Sequence, residues 1–150
     1  MNADELINKL GDAIGIDLSF NAEGTCSVIF DKDEVDFEKN ENKIFIIGTV
    51  QTNLKKDIEL YRTLLTSNYL GIHTGFCTLS IDDKRNELIL HRLIEENTDF
   101  DAFEKSLVLF IKALRYWKNW ISEENENSAS TFDNSDNTNL DLLRTGVISI

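Results

Sequence analysis

The amphipathic pattern between Thr98 and Ile121 restricts the possible folds more than any other stretch of the chain. Apolar residues recur there at three- and four-residue steps, the period of one face of an α-helix. Thr98 and Asp101 have the spacing of a capping box, which predicts that the helix begins here. A helix with one apolar face must pack on a second layer of structure. The face consists of Phe103, Leu107, Phe110, Ile111, Leu114, Trp117 and Ile121.

The second layer is predicted to be an antiparallel β-sheet. Five short runs, apolar and in part alternating, precede the long helix, and polar, turn-prone residues separate them. Three of the runs follow one another directly, which favours consecutive antiparallel pairing. The runs cover residues 25–31, 34–38, 43–50, 76–81 and 87–93.

Two further helices are predicted, one at the start of the chain and one between the two groups of strands. Asn2 is placed to cap the first, Glu5 follows three residues later, and Gly15 is available to terminate it. Residues 56–70 have a second apolar stripe at helical spacing. The order is helix, three strands, helix, two strands, helix (α-β-β-β-α-β-β-α), so the fold class is α+β, an antiparallel sheet flanked by three helices.

The chain of 150 residues is expected to form one domain over residues 1–121, followed by a tail. Residues 122–139 are rich in Asn, Ser, Asp and Glu and lack Lys and Arg, so the segment 122–150 is predicted to be an acidic, mobile C-terminal tail. Residues 140–150 turn apolar again. They could dock on a surface or fray.

Composition excludes several classes of function. The net charge of −12, without a basic stripe, argues against nucleic acid as a partner. No window is apolar enough for a membrane helix and no signal peptide is recognised, so a cytoplasmic location is expected. Cys26 and Cys77 lie in strand-like runs without zinc spacing, so no metal or other cofactor is expected. His73 and His91 accompany no nucleophile motif, so catalytic residues are not expected either.

Three stretches of the sequence resemble a known family. LINKLGDAIGIDLSFNAEGTCSVIFD, IELYRTLLTSNYLGIHTGFCTLSIDD and ELILHRLI follow the pattern of class I type III secretion chaperones, the Tir chaperone family. The more telling pieces are LG at Leu10 and Gly11, GTC at 24–26, NYL at 68–70 and TG at 74–75. The resemblance runs from about Leu6 to Trp120.

The resemblance implies a bacterial, virulence-associated protein that acts as a homodimer. Such a dimer would hold the N-terminal chaperone-binding segment of a secreted effector in extended form and keep it soluble and secretion-competent. It would need no nucleotide, and the secretion ATPase would be a further partner. The alternatives are a non-enzymatic adaptor domain of the same fold, which binds folded proteins, and an enzyme that uses His73 or His91.

An effector-binding patch is expected because a sheet has two faces and the long helix can cover only one of them well. Each residue of the patch could instead belong to the core. The candidates are Leu6, Leu10, Ile14, Val28, Phe30, Val35, Phe37 and Phe45.

A dimer interface is expected on the second helix. Its apolar stripe could pack on its own sheet or on the same stripe of a twofold partner, and the resemblance favours the partner. The stripe consists of Ile58, Tyr61, Leu64, Leu65 and Tyr69.

Overall fold

The computed structural model describes the backbone of residues 1–130 and the side chains of residues 1–127. The predicted α+β class and the order of the elements are confirmed. The helices are α1 (Ala3–Ile14), α2 (Ile58–Ser67) and α3 (Phe100–Ser130), with a short 3₁₀ turn at Tyr69–Gly71. The strands are β1 (Thr25–Phe30), β2 (Asp33–Asn40), β3 (Lys43–Gln51), β4 (Thr78–Asp82) and β5 (Glu87–Ile94).

The strands form one antiparallel sheet in the order β1-β2-β3-β5-β4, so β1 and β4 are its edges. Val28 of β1 lies opposite Val35 of β2. Two-residue loops join β1 to β2 and β2 to β3, and each loop begins with a positive-φ residue, Asp31 at 59° and Glu41 at 56°. Such loops match the right-handed twist of paired strands and fix their register.

The chain forms two compact units, each with its own buried residues. Unit 1 comprises Met1–Gly48 and His91–Ile111, and unit 2 comprises Thr49–Leu90 and the described residues from Lys112 onward. The core of unit 1 contains Leu6, Ile7, Leu10, Val28, Val35, Phe37, Ile44, Ile46, Phe103, Leu107 and Phe110. The core of unit 2 contains Val50, Leu54, Leu64, Cys77, Leu79, Leu88, Leu90, Leu114, Trp117, Trp120 and Ile121.

Aromatic contacts organise both cores. In unit 1 the rings of Phe37 on β2 and Phe103 on α3 lie 6.3 Å apart in a tilted arrangement. In unit 2 the rings of Trp117 and Trp120 meet edge to face at 5.3 Å. Both distances lie within the range that aromatic pairs prefer, so these residues act as the large fixed elements of their cores.

The ends of α1 agree with the prediction. The Asn2 side chain accepts a hydrogen bond from the Glu5 backbone N–H at 2.8 Å, and the Glu5 carboxylate accepts one from the Asn2 N–H at 2.9 Å. Gly15 ends the helix in the left-handed conformation, with φ of 77°. This is a capping box at one end and a glycine cap at the other.

The start of α3 differs from the prediction. The side chain of Asp99, not Thr98, accepts the hydrogen bond from the Ala102 N–H, at 2.8 Å. The hydroxyl of Thr98 donates instead to the Glu95 carbonyl at 2.6 Å, because Thr98 still belongs to the turn that follows β5.

Beyond Ile121, α3 continues to Ser130, so residues 122–130 of the predicted tail are helical. Residues 131–150, including the apolar stretch 140–150, lie outside the described residues. The domain boundary at Ile121 and the mobile tail stay predictions.

Left-handed residues shape the connection between α2 and β4. Leu70 and Phe76 have φ values of 55° and 61°, which interrupt helix and strand geometry, so β4 begins at Thr78 and not at Phe76 as predicted. The Asn68 amide donates to the Leu79 carbonyl at 2.9 Å and accepts from the Leu79 N–H at 2.8 Å. The Thr74 hydroxyl donates to the Cys77 carbonyl. These bonds hold the strained connection in place.

Gly11 lets the chain after α1 fold back closely onto the helix. A β-carbon built on Gly11 would lie 2.7 Å from the Ile16 carbonyl oxygen and 2.9 Å from the Leu18 β-carbon. Both distances are shorter than van der Waals contact, and the oxygen belongs to the backbone, so it cannot rotate away.

We expect Gly11→Ala to lower the free energy of unfolding by about 1–2 kcal/mol. Overpacking typically costs about 1–3 kcal/mol, and alanine's higher helix propensity returns up to about 1 kcal/mol. Chemical denaturation would measure the change. Asn8→Ala, at an exposed position of the same helix, is the control and should not destabilise the protein. A Gly11→Ala protein as stable as wild type would show that the Ile16 segment moves aside without strain.

Candidate functional site

The strands of unit 1 have one buried face and one outer face, because successive side chains of a strand point to opposite sides. Val28, Val35, Phe37, Ile44 and Ile46 point into the core and are almost fully buried. The alternate residues are half-buried or exposed. We call this second set the outer sheet face. It consists of Ile29, Glu34, Asp36, Glu38, Phe45, Ile47, His91 and Leu93.

Five of the eight residues predicted for the effector-binding patch are core residues in the structure, which corrects that prediction. Each is at most 7% exposed. Those on α1 belong to its buried stripe, and those on β1 and β2 point to the covered side of the sheet. A charge introduced at any of them would disrupt the core before it could test binding. The five are Leu6, Leu10, Val28, Val35 and Phe37.

The other three predicted patch residues are accessible. Ile14, near the end of α1, is 40% exposed, and Phe30 and Phe45 are half-buried. Of these, Phe45 lies on the outer sheet face. Their role in binding an effector stays a prediction.

Of the eight residues of the outer sheet face, the predicted patch included only Phe45. It missed the carboxylates Glu34, Asp36 and Glu38, and also Ile29, Ile47, His91 and Leu93. Ile29 is 68% exposed on the edge strand β1. A signal for these positions existed in β2, where charged residues alternate with apolar ones. Charged side chains must point outward, and their cross-strand partners point the same way once the two-residue loops fix the register.

A column of three carboxylates runs along β2 on the outer sheet face. Glu34 lies opposite Ile29, Asp36 lies between Ser27 and Ile47, and Glu38 lies between Thr25 and Phe45. The Ser27 hydroxyl donates a hydrogen bond to Asp36. Within the part of the chain that the structure describes, Glu34 and Glu38 form no ion pair. The outer sheet face therefore combines apolar side chains with carboxylates that no Lys or Arg of the described residues neutralises.

Burial changes the pKa of two groups in unit 1. The His91 ring lies edge-on to Phe45 at 6.3 Å, and its partial burial lowers its pKa below the usual 6.5, so it is neutral at pH 7. Burial, together with the charge of Asp36, raises the pKa of the Cys26 thiol to about 11. The nucleophilic thiolate of Cys26 is therefore scarce at neutral pH. Among residues 1–130, no group of His, Cys, Asp and Glu is arranged to hold a metal ion.

Unit 2 exposes a second apolar surface on and after α2. Of the five residues predicted for the dimer interface, Ile58 is 81% exposed, Leu65 and Tyr69 are each 71% exposed, and Tyr61 is half-buried. Leu64, the fifth, points into the core and is 4% exposed. We call the exposed large apolar residues from Ile58 to Ile81, together with half-buried Tyr61, the α2 surface. It consists of Ile58, Tyr61, Leu65, Tyr69, Leu70, Ile72, Phe76 and Ile81.

A mainly apolar cavity of about 380 Å³ opens beside α2. Residues of α2, β4 and β5 line it, and Ser80 is its one hydroxyl-bearing residue apart from Tyr61. The lining residues are Tyr61, Leu64, Leu65, Leu79, Ser80, Ile81 and Leu88. An aliphatic or aromatic side chain would find mostly apolar contacts there.

Several solved structures have a fold similar to that of this chain. A chain of the ExsC–ExsE complex superposes with a TM-score of 0.67 at 19% identity, covering 79% of this chain and 96% of its own length. A chain of the HopA1–SchA chaperone–effector complex superposes with a TM-score of 0.65 at 17% identity. The match covers 77% of this chain and 91% of the chain in the complex. A third similar structure is the Yersinia pestis type III secretion chaperone SycH in complex with a fragment of YscM2. One of its chains superposes with a TM-score of 0.57 at 18% identity, and the match covers 74% of this chain and 95% of that chain. No curated protein matches the sequence.

At 17–19% identity these structures show that the chain shares their fold. A family model, described as the Tir chaperone protein (CesT) family, matches residues 5–118. The chain belongs to this family, because the match covers more than half of its length. In residues 1–130 no helix is long and apolar enough to cross a membrane.

We expect His91→Gln to reduce the loss of stability in mild acid. The pKa of His91 is lower in the folded protein than in the unfolded chain, so the unfolded chain binds the proton first as the pH falls. Stability is therefore lost below about pH 6.5, until the lower folded pKa is reached. Chemical denaturation at about pH 7.5 and about pH 5 would measure the loss in both proteins.

Wild type and variant differ at His91 alone, so the difference in their loss of stability isolates this side chain. An equal loss in both would show that the imidazole gains a compensating partner when it is protonated.

Proposed function

We propose that this chain is a bacterial cytoplasmic chaperone of type III secretion that binds the N-terminal segment of a secreted effector and keeps it soluble and secretion-competent. It acts by binding alone, without catalysis or a cofactor, and delivers the effector to the secretion machinery. The secretion ATPase is a further partner. The observation that carries the proposal is the outer sheet face, an apolar and acidic surface on a fold whose neighbours include a chaperone–effector complex.

An extended segment suits this surface better than a folded domain does. A segment that becomes ordered on binding loses conformational entropy at each residue and needs apolar contacts along its length to offset the loss. Phe45, Ile47 and Leu93 provide such contacts on adjacent strands. Among the described residues the edge strand β1 has a sheet neighbour on one side only, which supports added strand pairing by the same segment.

The proposed active form is a homodimer that pairs through the α2 surface. A soluble protein rarely exposes several large apolar side chains in one stretch unless a partner covers them. A twofold axis would bring the α2 surface of one copy against the same surface of the other, and the hydroxyls of Tyr61 and Tyr69 could stay at the wet rim. The adjacent cavity would accept a side chain of the partner copy.

Phe45→Thr is expected to weaken binding of an effector fragment at least tenfold. A buried phenylalanine contributes about 1.5–3 kcal/mol, and threonine retains the strand propensity while removing the ring. The measurement is titration of the full chain with N-terminal fragments of secreted proteins from the same genome, followed by light scattering. Val108→Thr removes an exposed apolar side chain from α3 and should leave binding unchanged.

Failure of every fragment to bind wild type would contradict the effector-chaperone function. If folded proteins bound while extended fragments did not, an adaptor role would replace it.

Leu65→Asp is expected to convert a dimer into a monomer. The substitution places a charge on the exposed stripe of α2, where it would be buried against its twofold copy without a partner, while the monomer fold would tolerate it. Sedimentation and circular dichroism would report assembly and folding separately. Val108→Asp, an exposed helix position on α3, is the matched control and should stay dimeric. A wild-type monomer would contradict the proposed pairing.

A further inference from the structure

We propose that the outer sheet face selects an extended segment that carries Lys or Arg at alternate positions beside apolar side chains. This inference rests on the proposed function and specifies its ligand. Three observations carry it: the spacing of the β2 carboxylates, the apolar residues next to them, and the lack of an ion-pair partner for Glu34 and Glu38 in the described part of the chain.

The spacing favours an extended ligand. Glu34, Asp36 and Glu38 occupy alternate positions of one strand, so neighbouring carboxylates project about 6.6–7 Å apart. An extended segment that lies along β2 has the same two-residue repeat, so every second side chain meets a carboxylate. Basic residues two apart therefore stay in register with the column over its whole length.

The apolar neighbours favour long basic side chains over small polar ones. Ile47 lies directly across from Asp36, and Phe45 directly across from Glu38. Lys and Arg pack their aliphatic stems on such groups while the charged head reaches the carboxylate. His91, beside Phe45, is neutral at pH 7 because burial lowers its pKa, so it does not repel the ligand.

The charge distribution gives the surface its selectivity. Lys39 pairs with Asp4 and Lys43 pairs with Glu95, whereas Glu34 and Glu38 have no ion-pair partner among the described residues. The whole chain carries a net charge of −12, which adds a long-range attraction for basic ligands. An exposed ion pair contributes little by itself, so the apolar contacts supply most of the affinity. The carboxylates discriminate against acidic and neutral segments.

The test uses three synthetic peptides of equal length and apolar content that differ at alternate positions, which are Lys, Gln or Glu. Fluorescence anisotropy with the full-length protein measures their affinities at low and high salt. The Lys peptide should bind most tightly, and raising the salt should reduce its advantage, because the carboxylates are accessible to solvent. Equal affinity of the Lys and Gln peptides would overturn the inference.

A double variant, Glu34→Gln with Glu38→Gln, separates the column from the overall charge. It should weaken the Lys peptide roughly three- to tenfold and leave the Gln peptide unchanged. Asp83→Asn with Glu104→Gln removes the same charge at exposed positions elsewhere and should weaken the Lys peptide much less. An equal loss in both double variants would overturn the inference, since net charge alone would explain the preference.

The failure of the proposed function has a different signature. If effector fragments bind to the outer sheet face and the Glu34/Glu38 variant binds them as well as wild type, the effector-chaperone function stands and the preference for basic residues is wrong. If the Lys peptide binds with the expected preference and no effector fragment binds, the ligand chemistry stands and the effector is not the partner.

Discussion

The cross-strand register of β1, β2 and β3 determines what the rest of unit 1 can do. Two-residue loops after Phe30 and Asn40 fix this register, and the twofold alternation of each strand then assigns every side chain to one face. Val35 and Phe37 are buried because their neighbours Glu34, Asp36 and Glu38 must reach water. A shift of one residue would exchange the two sets, and the core and the proposed binding surface would both be lost.

The fold was predictable from the sequence because its signals are local. Helical and alternating patterns identified each element, and Asn2 and Gly15 marked the ends of α1 correctly. Boundaries were missed where backbone conformation departs from pattern. Leu70 and Phe76 are apolar and read as helix and strand residues, yet their positive φ values interrupt both elements. Apolar character alone carries no information about a left-handed backbone.

The proposed binding surface was less predictable than the fold, because hydrophobicity does not distinguish an apolar residue of the core from one of an outer face. Phe37 and Phe45 have the same side chain on adjacent strands, and one is fully buried while the other remains half-accessible. The distinction follows from pairing, which only the folded sheet defines. On α2, hydrophobicity likewise does not distinguish Leu64, which lies in the core, from Leu65, which is largely exposed. In that helix the position of each residue around the helical turn determines whether its side chain is buried.

Several of the short sequence pieces that resemble the Tir chaperone family contain residues that determine the course of the backbone. Gly11 permits a close return of the chain, and Asn68 ties the end of α2 to Leu79. Of these pieces only GTC reaches the outer side of the sheet, where Thr25 lies opposite Glu38. The alternate positions of each strand hold the core, so a substitution on the outer sheet face changes the surface of this scaffold without rebuilding its interior.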